Sequence, residues 1–403
     1  MSLFLKAENK GELMLVFNIG SSFVGGEFFL AQKSGIPKII FSVEEPIPIE
    51  GKIDINRLLF LTMQTLQTVV KKVHKARIGV PKRIFCVLSS PWYVSQTRTV
   101  NLEKNTSFIF TAKLADSLIK KEINLFKEEH LMEKTDIDNA FRIIEFKNIK
   151  TVLNGYETSK PLNQKVKELQ MTIFVSIGGE QILRKIEETI KIYFHSSQIT
   201  FSSSALASFT MVRDTYGEQE NFLLIDIGGE VTDIFMVKKN ALHESITFPL
   251  GLNFFIRGIA SSFHCTLNEA SSLFSLFRDG HAEEKLVKKL RPVLNQLKTK
   301  WLKQLEESLA NFTKDISIPS TIYVATDKKM ANFFSEIIKT EQFNQYSRTE
   351  SKFKIISLNT KTLHGGAQFK ENVIREPFLI INSIYINRFL IYPAKAGRVQ
   401  FYA

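Results

Sequence analysis

The sequence predicts an α/β protein made of two similar lobes, with a further α+β module inserted into the first. Two hairpins of one design carry this prediction. The stretch NFLLIDIGGEVTDIFMV, Asn221 to Val237, reads as an apolar strand, a tight glycine turn and a second apolar strand. LVFNIGSSFVGGEFFL, Leu15 to Leu30, repeats the design near the start of the chain. Such a repeat indicates a duplicated domain whose halves enclose a ligand cleft.

The turns of the two hairpins align residue by residue, in four pairs: Asn18 with Asp226, Ile19 with Ile227, Gly20 with Gly228, and Ser21 with Gly229. A glycine turn lets backbone N–H groups approach a phosphate, and carboxylates such as Asp226 and Asp233 bind Mg²⁺ or its water. We expect Asp226 to lie in the turn. A hairpin with a solvated acidic turn is the plain alternative for each motif taken alone.

The composition indicates a globular protein with a large core. The 403 residues suffice for two or three domains, and 44% of them are hydrophobic. We see neither a signal peptide pattern nor an apolar run of the ~18–20 residues that span a bilayer. Cys86 and Cys265 are spaced for neither zinc nor a redox pair, so we expect buried free thiols. These features predict a cytoplasmic protein.

The net charge of +12 raises the question of a nucleic-acid partner. The lysines are spread along the chain without an aromatic-interleaved basic stripe, so no specific nucleic acid is expected. We interpret the basic clusters at 71–77 and 288–291 as solvated helix faces. A basic surface is also attracted to anionic lipid, which is compatible with a peripheral membrane role.

Residues 1–93 are predicted as the N-terminal part of the first lobe. Three strands lie within Glu12 to Ser42, and a helix follows at Ile53 to Lys75, where apolar residues recur every three or four positions. Arg83 to Leu88 reads as a buried strand that Ser89-Ser90-Pro91 ends.

Residues 94–197 are predicted as the inserted module. Its expected strands are Val94 to Leu102, Phe141 to Lys150, Thr151 to Asn154 and Lys167 to Ser176, and its expected helices are Ala112 to His130 and Glu180 to Phe194. Ile177 to Glu180 repeats the letters IGGE of the main hairpin. Because a helix follows it, we interpret it as a structural turn with Glu180 at the helix N-terminus.

The rest of the chain divides into four predicted parts: the second lobe core at 198–250, a helical outer subdomain at 251–318, the return of the second lobe at 319–375, and a last helix at 376–403 that returns to the first lobe. Ile199 to Thr210 is rich in small residues and reads as a hinge between lobes or as an ordinary packed helix. The helix at Glu283 to Phe312 is expected to break near Pro292.

The pair of hairpins resembles the two phosphate-binding loops of the actin-like ATPase superfamily, whose lobes have a ribonuclease H-like fold. The position of the inserted module resembles its FtsA and PilM members. The resemblance implies ATP and Mg²⁺ as cofactors, with Asp226 and Asp233 in catalytic roles and Asp226 at the metal. The nucleotide-binding positions it implies are Asn18, Gly20, Ser21, Ser22, Gly228, Gly229, Glu230, Thr232, Ala325 and Thr326.

Several positions depart from the pattern of that superfamily. Asn18 stands where an Asp is usual, and a neutral amide is a poorer Mg²⁺ ligand. Ser271 and Phe274 replace a Glu and a Lys near the ribose. Ala325 and Thr326 replace a Gly-Gly pair, and their Cβ atoms crowd the purine position.

We therefore expect an FtsA/PilM-like assembly protein of cell division or of envelope and pilus assembly, at the cytoplasmic membrane face, that binds ATP weakly and hydrolyses it slowly if at all. The alternative is a nucleotide-free pseudo-ATPase scaffold that works through protein contacts. A sugar or acid kinase has less support, because no second substrate motif is present. The resemblance implies that the module contacts other copies of the chain and a division or pilus assembly protein.

Overall fold

The computed structural model describes residues 11–131, 140–195, 197–217, 219–312, 318–340 and 353–392. The strands are β1 (Glu12–Ile19), β2 (Phe23–Ala31), β3 (Lys38–Pro46), β4 (Arg83–Leu88), β5 (Val94–Ile109), β6 (Phe141–Leu153), β7 (Tyr156–Glu157), β8 (Lys165–Gly179), β9 (Gln198–Ser203), β10 (Phe222–Ile227), β11 (Thr232–Lys238), β12 (Ala241–Phe248), β13 (Thr321–Thr326), β14 (Lys354–Ser357) and β15 (Gln368–Phe369). The helices are α1 (Ile55–Lys75), α2 (Ala112–Leu131), α3 (Glu180–Lys191), α4 (Ser204–Thr215), α5 (Leu252–Phe263), α6 (Leu267–Arg278), α7 (Glu284–Ala310), α8 (Ala331–Thr340) and α9 (Pro377–Tyr385), and a π-helical segment (Ile386–Ile391) continues α9.

The first lobe is a six-stranded sheet in the order β15-β3-β2-β1-β4-β9. β1, β2 and β3 pair antiparallel, whereas β4 and β9 run parallel to β1. Helices cover both faces of this sheet, with α1 and α3 packed together and α9 against β1. Because both faces are covered, β1 is a continuous apolar run.

The second lobe repeats this design in a five-stranded sheet with the order β12-β11-β10-β13-β14. β10 and β11 form the second hairpin, and β13 runs parallel to β10. Side chains of β10 alternate between two cores: Leu224 joins the core of the first lobe, and Leu223 and Ile225 join the core under α5 and α7. The duplicated two-lobe prediction is confirmed.

The inserted module is a four-stranded sheet in the order β5-β8-β6-β7, covered by α2. β6 is a single strand, so the separate strand expected at Thr151 to Asn154 is wrong. Its pairing with β8 continues through two register shifts, and this long-range pairing overrides the local break in the pattern. The Ile177 to Glu180 repeat is the expected strand-to-helix turn, with Gly179 as the N-cap residue of α3.

Three further expectations need correction. α7 does not break at Pro292 but continues through it, because Leu290, Leu294 and Leu297 hold both sides of the proline in the core. Ile199 to Thr210 is not one helix, since β9 ends at Ser203 and α4 begins there. Cys86 is a buried free thiol as expected, but Cys265 is partly exposed.

All nine residues of α9 are buried. The helix packs against β1 and α4, so the last helix contacts the first lobe as expected. Most of the C-terminal stretch at 392–403 lies outside the described residues. The described helices include none with the length and apolar character that a membrane crossing requires.

Candidate functional site

The turns of the two hairpins lie in direct contact. The Ser21 hydroxyl oxygen accepts hydrogen bonds from the backbone N–H of Gly229 at 3.0 Å and of Glu230 at 3.1 Å. A Cβ atom at Gly229 would lie 2.5 Å from the Ser21 carbonyl oxygen. The glycine therefore permits this close approach, and the side chain of one turn satisfies the amides of the other.

Asp226 and Asp233 form a buried pair of carboxyl groups between the lobes. They are cross-strand neighbours on β10 and β11, and each is only 3% exposed. Asp226 thus lies inside a strand and not in the turn, which corrects the sequence expectation. Ser90 from the end of β4 donates to Asp233 Oδ1 at 3.0 Å, and Thr247 donates to the same oxygen.

The environment of this pair favours the protonated forms. Burial, and then the charge of Asp233, raise the pKa of Asp226 to about 8, although a hydrogen bond from Ser204 opposes the shift. Burial raises the pKa of Asp233 to about 6, against the hydrogen bonds from Thr247 and Ser90. Asp226 Oδ2 has no hydrogen-bond partner among the described residues. At neutral pH the pair therefore retains a proton, which weakens it as a Mg²⁺ ligand.

The other predicted residues of the first turn bond within the first lobe. Asn18 Oδ1 accepts from Asn382 of α9 at 3.1 Å. The Gly20 carbonyl accepts from the Trp92 indole at 2.9 Å, and the Ser22 carbonyl from the Ile47 amide at 2.9 Å. These groups hold the turn in place.

The remaining predicted residues of the second turn point to the helical subdomain. The Glu230 carboxylate, 5% exposed, accepts from Arg257 at 2.8 and 2.6 Å and from Asn253 at 2.8 Å. Thr232 donates to the Leu250 carbonyl at 2.7 Å, and the Gly228 carbonyl accepts from the Leu252 amide at 2.9 Å. Both side chains thus have full structural roles.

Ala325 and Thr326 end β13 beside the acid pair. Ala325 pairs with Asp226 and Thr326 with Ile227 in the parallel register, and both residues are buried. The Thr326 hydroxyl donates to the Ile227 carbonyl at 3.2 Å. The structure therefore brings this predicted pair to the same edge as the second hairpin.

A lysine that the sequence reading missed bridges the two lobes next to β13. Lys328 Nζ lies 2.9 Å from Glu44 of the first lobe and 3.6 Å from Glu376 at the start of α9. Ser90, Thr247 and Ser204 were also missed. Ser90 carried a usable signal, because it follows a buried strand parallel to β1 and so reaches the same edge of the sheet.

The residues of the cleft, in this arrangement, do not fit a magnesium nucleotide. The two amides of the second turn already bond to Ser21, and Ala325 and Thr326 put buried side chains where the superfamily pattern has a Gly-Gly pair. Within the described ranges, no group of three or more His, Cys, Asp or Glu side chains is placed to hold a metal ion. Nucleotide entry would require Ser21 to leave the second turn.

Comparisons with known proteins bear on the fold. No protein-family model and no curated protein matches the chain. PilM in a PilM–PilN type IV pilus biogenesis complex is similar over 93% of this chain and 97% of that one, with 14% identity and a TM-score of 0.60. EutJ from Carboxydothermus hydrogenoformans matches over 93% of this chain and 89% of that one, with 11% identity and a TM-score of 0.41.

The conclusion on the fold rests on the two lobes with their paired hairpins and on the module inserted after β4. It also rests on the similarity to PilM, which extends across nearly the whole of both chains. This chain has the actin-like ATPase fold in a PilM-like form.

Proposed function

We propose that this protein is a PilM-like assembly scaffold that acts in pilus-type or envelope assembly at the cytoplasmic face of a membrane, and that it works through protein contacts with its nucleotide cleft closed. The observation that carries this proposal is that the Ser21 hydroxyl oxygen accepts hydrogen bonds from two backbone amides of the opposite turn. A backbone amide that already has a buried partner gains little from a phosphate.

Further bonds across the cleft support the same proposal. Lys328 reaches Glu44 and Glu376, Arg257 donates to the Glu50 carbonyl at 2.8 Å, and Ser90 donates to Asp233. These bonds join elements of the first lobe to elements of the second. Opening the cleft would break all of them together.

The inserted module is the proposed contact surface for other copies of the chain and for an assembly partner. It carries several of the large apolar side chains that are exposed, namely Val94, Ile109, Leu125, Ile143, Tyr156 and Leu162. Contiguous exposed apolar patches mark protein-binding surfaces, and we propose that some of these side chains form such a patch.

A second candidate function is weak ATP binding with slow hydrolysis, in which Asp226 and Asp233 would order Mg²⁺ and water. The buried carboxyl pair beside two glycine turns favours it. Anionic lipid remains a further proposed contact, because the chain carries a net charge of +12.

Calorimetric titration of Mg²⁺ and ATP into the wild type and into Asp226→Ala separates the two candidates. The scaffold proposal expects no binding heat up to millimolar ATP in either protein. Micromolar binding that the substitution abolishes would overturn it and establish a working nucleotide site.

The contact proposal needs a test in the native host. In a strain that lacks the gene, a copy with Tyr156→Asp should fail to restore envelope assembly although the purified variant melts like the wild type. Val80→Asp is the matched control, because Val80 in the first lobe is as exposed as Tyr156, at 78% against 79%. Equal rescue by both variants would argue against the module surface.

A further inference from the structure

One carboxylate of the inserted module reaches out of the module into the body of the protein. Glu145 lies on β6 at a register shift between Ile143 and Glu145 in the pairing with β8. A bulge of this kind changes the direction of a side chain relative to its sheet. The shift places the Glu145 carboxylate where β9, α4 and α9 meet.

Three hydrogen bonds hold this carboxylate. Ser203 donates to Oε2 through its hydroxyl at 2.6 Å and its amide at 3.2 Å. Tyr385 of α9 donates its hydroxyl to Oε1 at 2.7 Å. Ser203 and Tyr385 are both buried, so each would lose its partner without access to water if Glu145 were removed.

The same short segment continues to the acid pair of the cleft. Ser203 is the N-cap residue of α4, where its hydroxyl also accepts from the Leu206 amide at 3.3 Å. The hydroxyl of Ser204, the next residue, lies 3.4 Å from the Tyr93 hydroxyl, which also accepts from the Ala205 amide at 3.3 Å. Tyr93 comes three residues after Ser90, which donates to Asp233 of the acid pair. The first turn of α4 thus bonds to Glu145 through Ser203 and to Tyr93 through Ser204, and the segment of Tyr93 also contacts the acid pair.

We propose that Glu145 is a positioning residue that couples the orientation of the inserted module to the Asp226 hairpin through the first turn of α4. A partner that tilts the module would loosen the Glu145–Ser203 bonds, and the change would reach the acid pair through Ser204 and Tyr93. That use by a partner rests on the proposed function. The coupling itself is a property of the isolated chain and is measured without ATP or a partner, so each can fail without the other.

Hydrogen exchange by mass spectrometry on the full-length chain tests the coupling. In Glu145→Ala we expect exchange at least about 10-fold faster both in the first turn of α4 and at the carboxyl end of β10. Glu157→Ala is the matched control, because Glu157 is a glutamate of the same module whose ion pair with Lys150, at 3.2 Å, is exposed. This control should leave both segments unchanged.

Two outcomes would overturn the proposal. Faster exchange confined to β6 and α9 would make Glu145 a local anchor of the module. A uniform rise that includes β3 and α7, which lie away from this path, would mean a general loss of stability.

Two gentler variants keep the test decisive if Glu145→Ala does not fold. Glu145→Gln retains one acceptor oxygen and should give a smaller effect in the same two segments. Because coupling is reciprocal, Ser204→Ala should speed exchange around Glu145 in β6. No change in β6 in the Ser204→Ala protein would contradict the coupling.

Discussion

The two hairpins at the centre of the molecule share a sequence design but are held in different ways. The first hairpin forms hydrogen bonds within the first lobe, to Asn382 of α9 and to Trp92. The second hairpin forms hydrogen bonds to another subdomain, to Arg257 and Asn253 of the helical subdomain. They meet at their turns, where Ser21 accepts from the second turn. Two hairpins of similar sequence therefore have different hydrogen-bond partners, and these partners determine which groups of each hairpin are left to bind a ligand.

Each hairpin carries a buried glutamate, and the two glutamates differ in their partners. Glu230 of the second hairpin has a bidentate partner in Arg257, with 2.6 Å between its closest nitrogen and oxygen. Glu27, on β2 of the first hairpin, is fully buried and receives a hydrogen bond from Ser383, while its Oε2 has no partner among the described residues. The second hairpin thus holds a charge with a counter-ion, and the first holds a carboxyl group without one.

Removing the counter-ion should have the largest effect. Arg257→Ala leaves the buried Glu230 carboxylate unpaired, and we expect a loss of about 3 kcal/mol in the free energy of unfolding, measured by urea denaturation. Arg57→Ala is the control, because its ion pair with Glu50 is exposed and should be worth under about 1 kcal/mol. Equal losses in the two variants would show that the Glu230 pair is not a buried anchor.

Glu27 of the first hairpin should contribute to the pH dependence of stability, beside Asp226 and Asp233 of the second. Burial raises the pKa of Glu27 to about 8, from an ordinary value of 4.5, against the Ser383 hydrogen bond. Between those values the folded state retains a proton that the unfolded state has lost, so this group lowers stability as pH rises towards 8. Glu27→Gln should remove the contribution of this group. Between pH 6 and pH 8 the free energy of unfolding of the variant should therefore rise by about 2 kcal/mol relative to that of the wild type, measured by urea titrations. A gap that does not change with pH would refute the shift.

The contact between the turns can be broken from the second hairpin. Gly229→Ala sets a Cβ atom against the Ser21 backbone, which cannot rotate away, and should cost about 1.5 kcal/mol by thermal denaturation. At Gly51 a Cβ would meet nothing within 4 Å, so Gly51→Ala is the control and should be neutral within about 0.5 kcal/mol. A neutral Gly229→Ala would mean that the turns separate easily.

The smallest expected effect is at Ser21. Ser21→Ala removes the acceptor for two buried amides and should cost about 1 kcal/mol in the same measurement. Since it also frees those amides, the variant should bind inorganic phosphate more tightly than the wild type by calorimetry. A loss of stability without any gain in phosphate binding would show that the lobes stay closed by their other bonds.

Much of the fold could be predicted because its signals are local. The bounds of β4 agree exactly with the expected Arg83 to Leu88, and α1 begins two residues after the expected start. The errors fell where distant contacts decide: β6 continues because β8 pairs with it, and α7 passes Pro292 because both flanking turns are packed. The division into domains and the roles of the site residues stay predictions.

The two hairpins, their glycine turns and the alternation of strands and helices follow from the amino-acid sequence, since periodicity and turn chemistry act within a few residues. Three contacts depend on the folded arrangement instead: Ser21 with the second turn, Arg257 with Glu230, and Glu145 with Ser203 outside its module. The physical reason is that a buried polar group bonds to whichever partner the packing brings near, and these partners are distant in sequence.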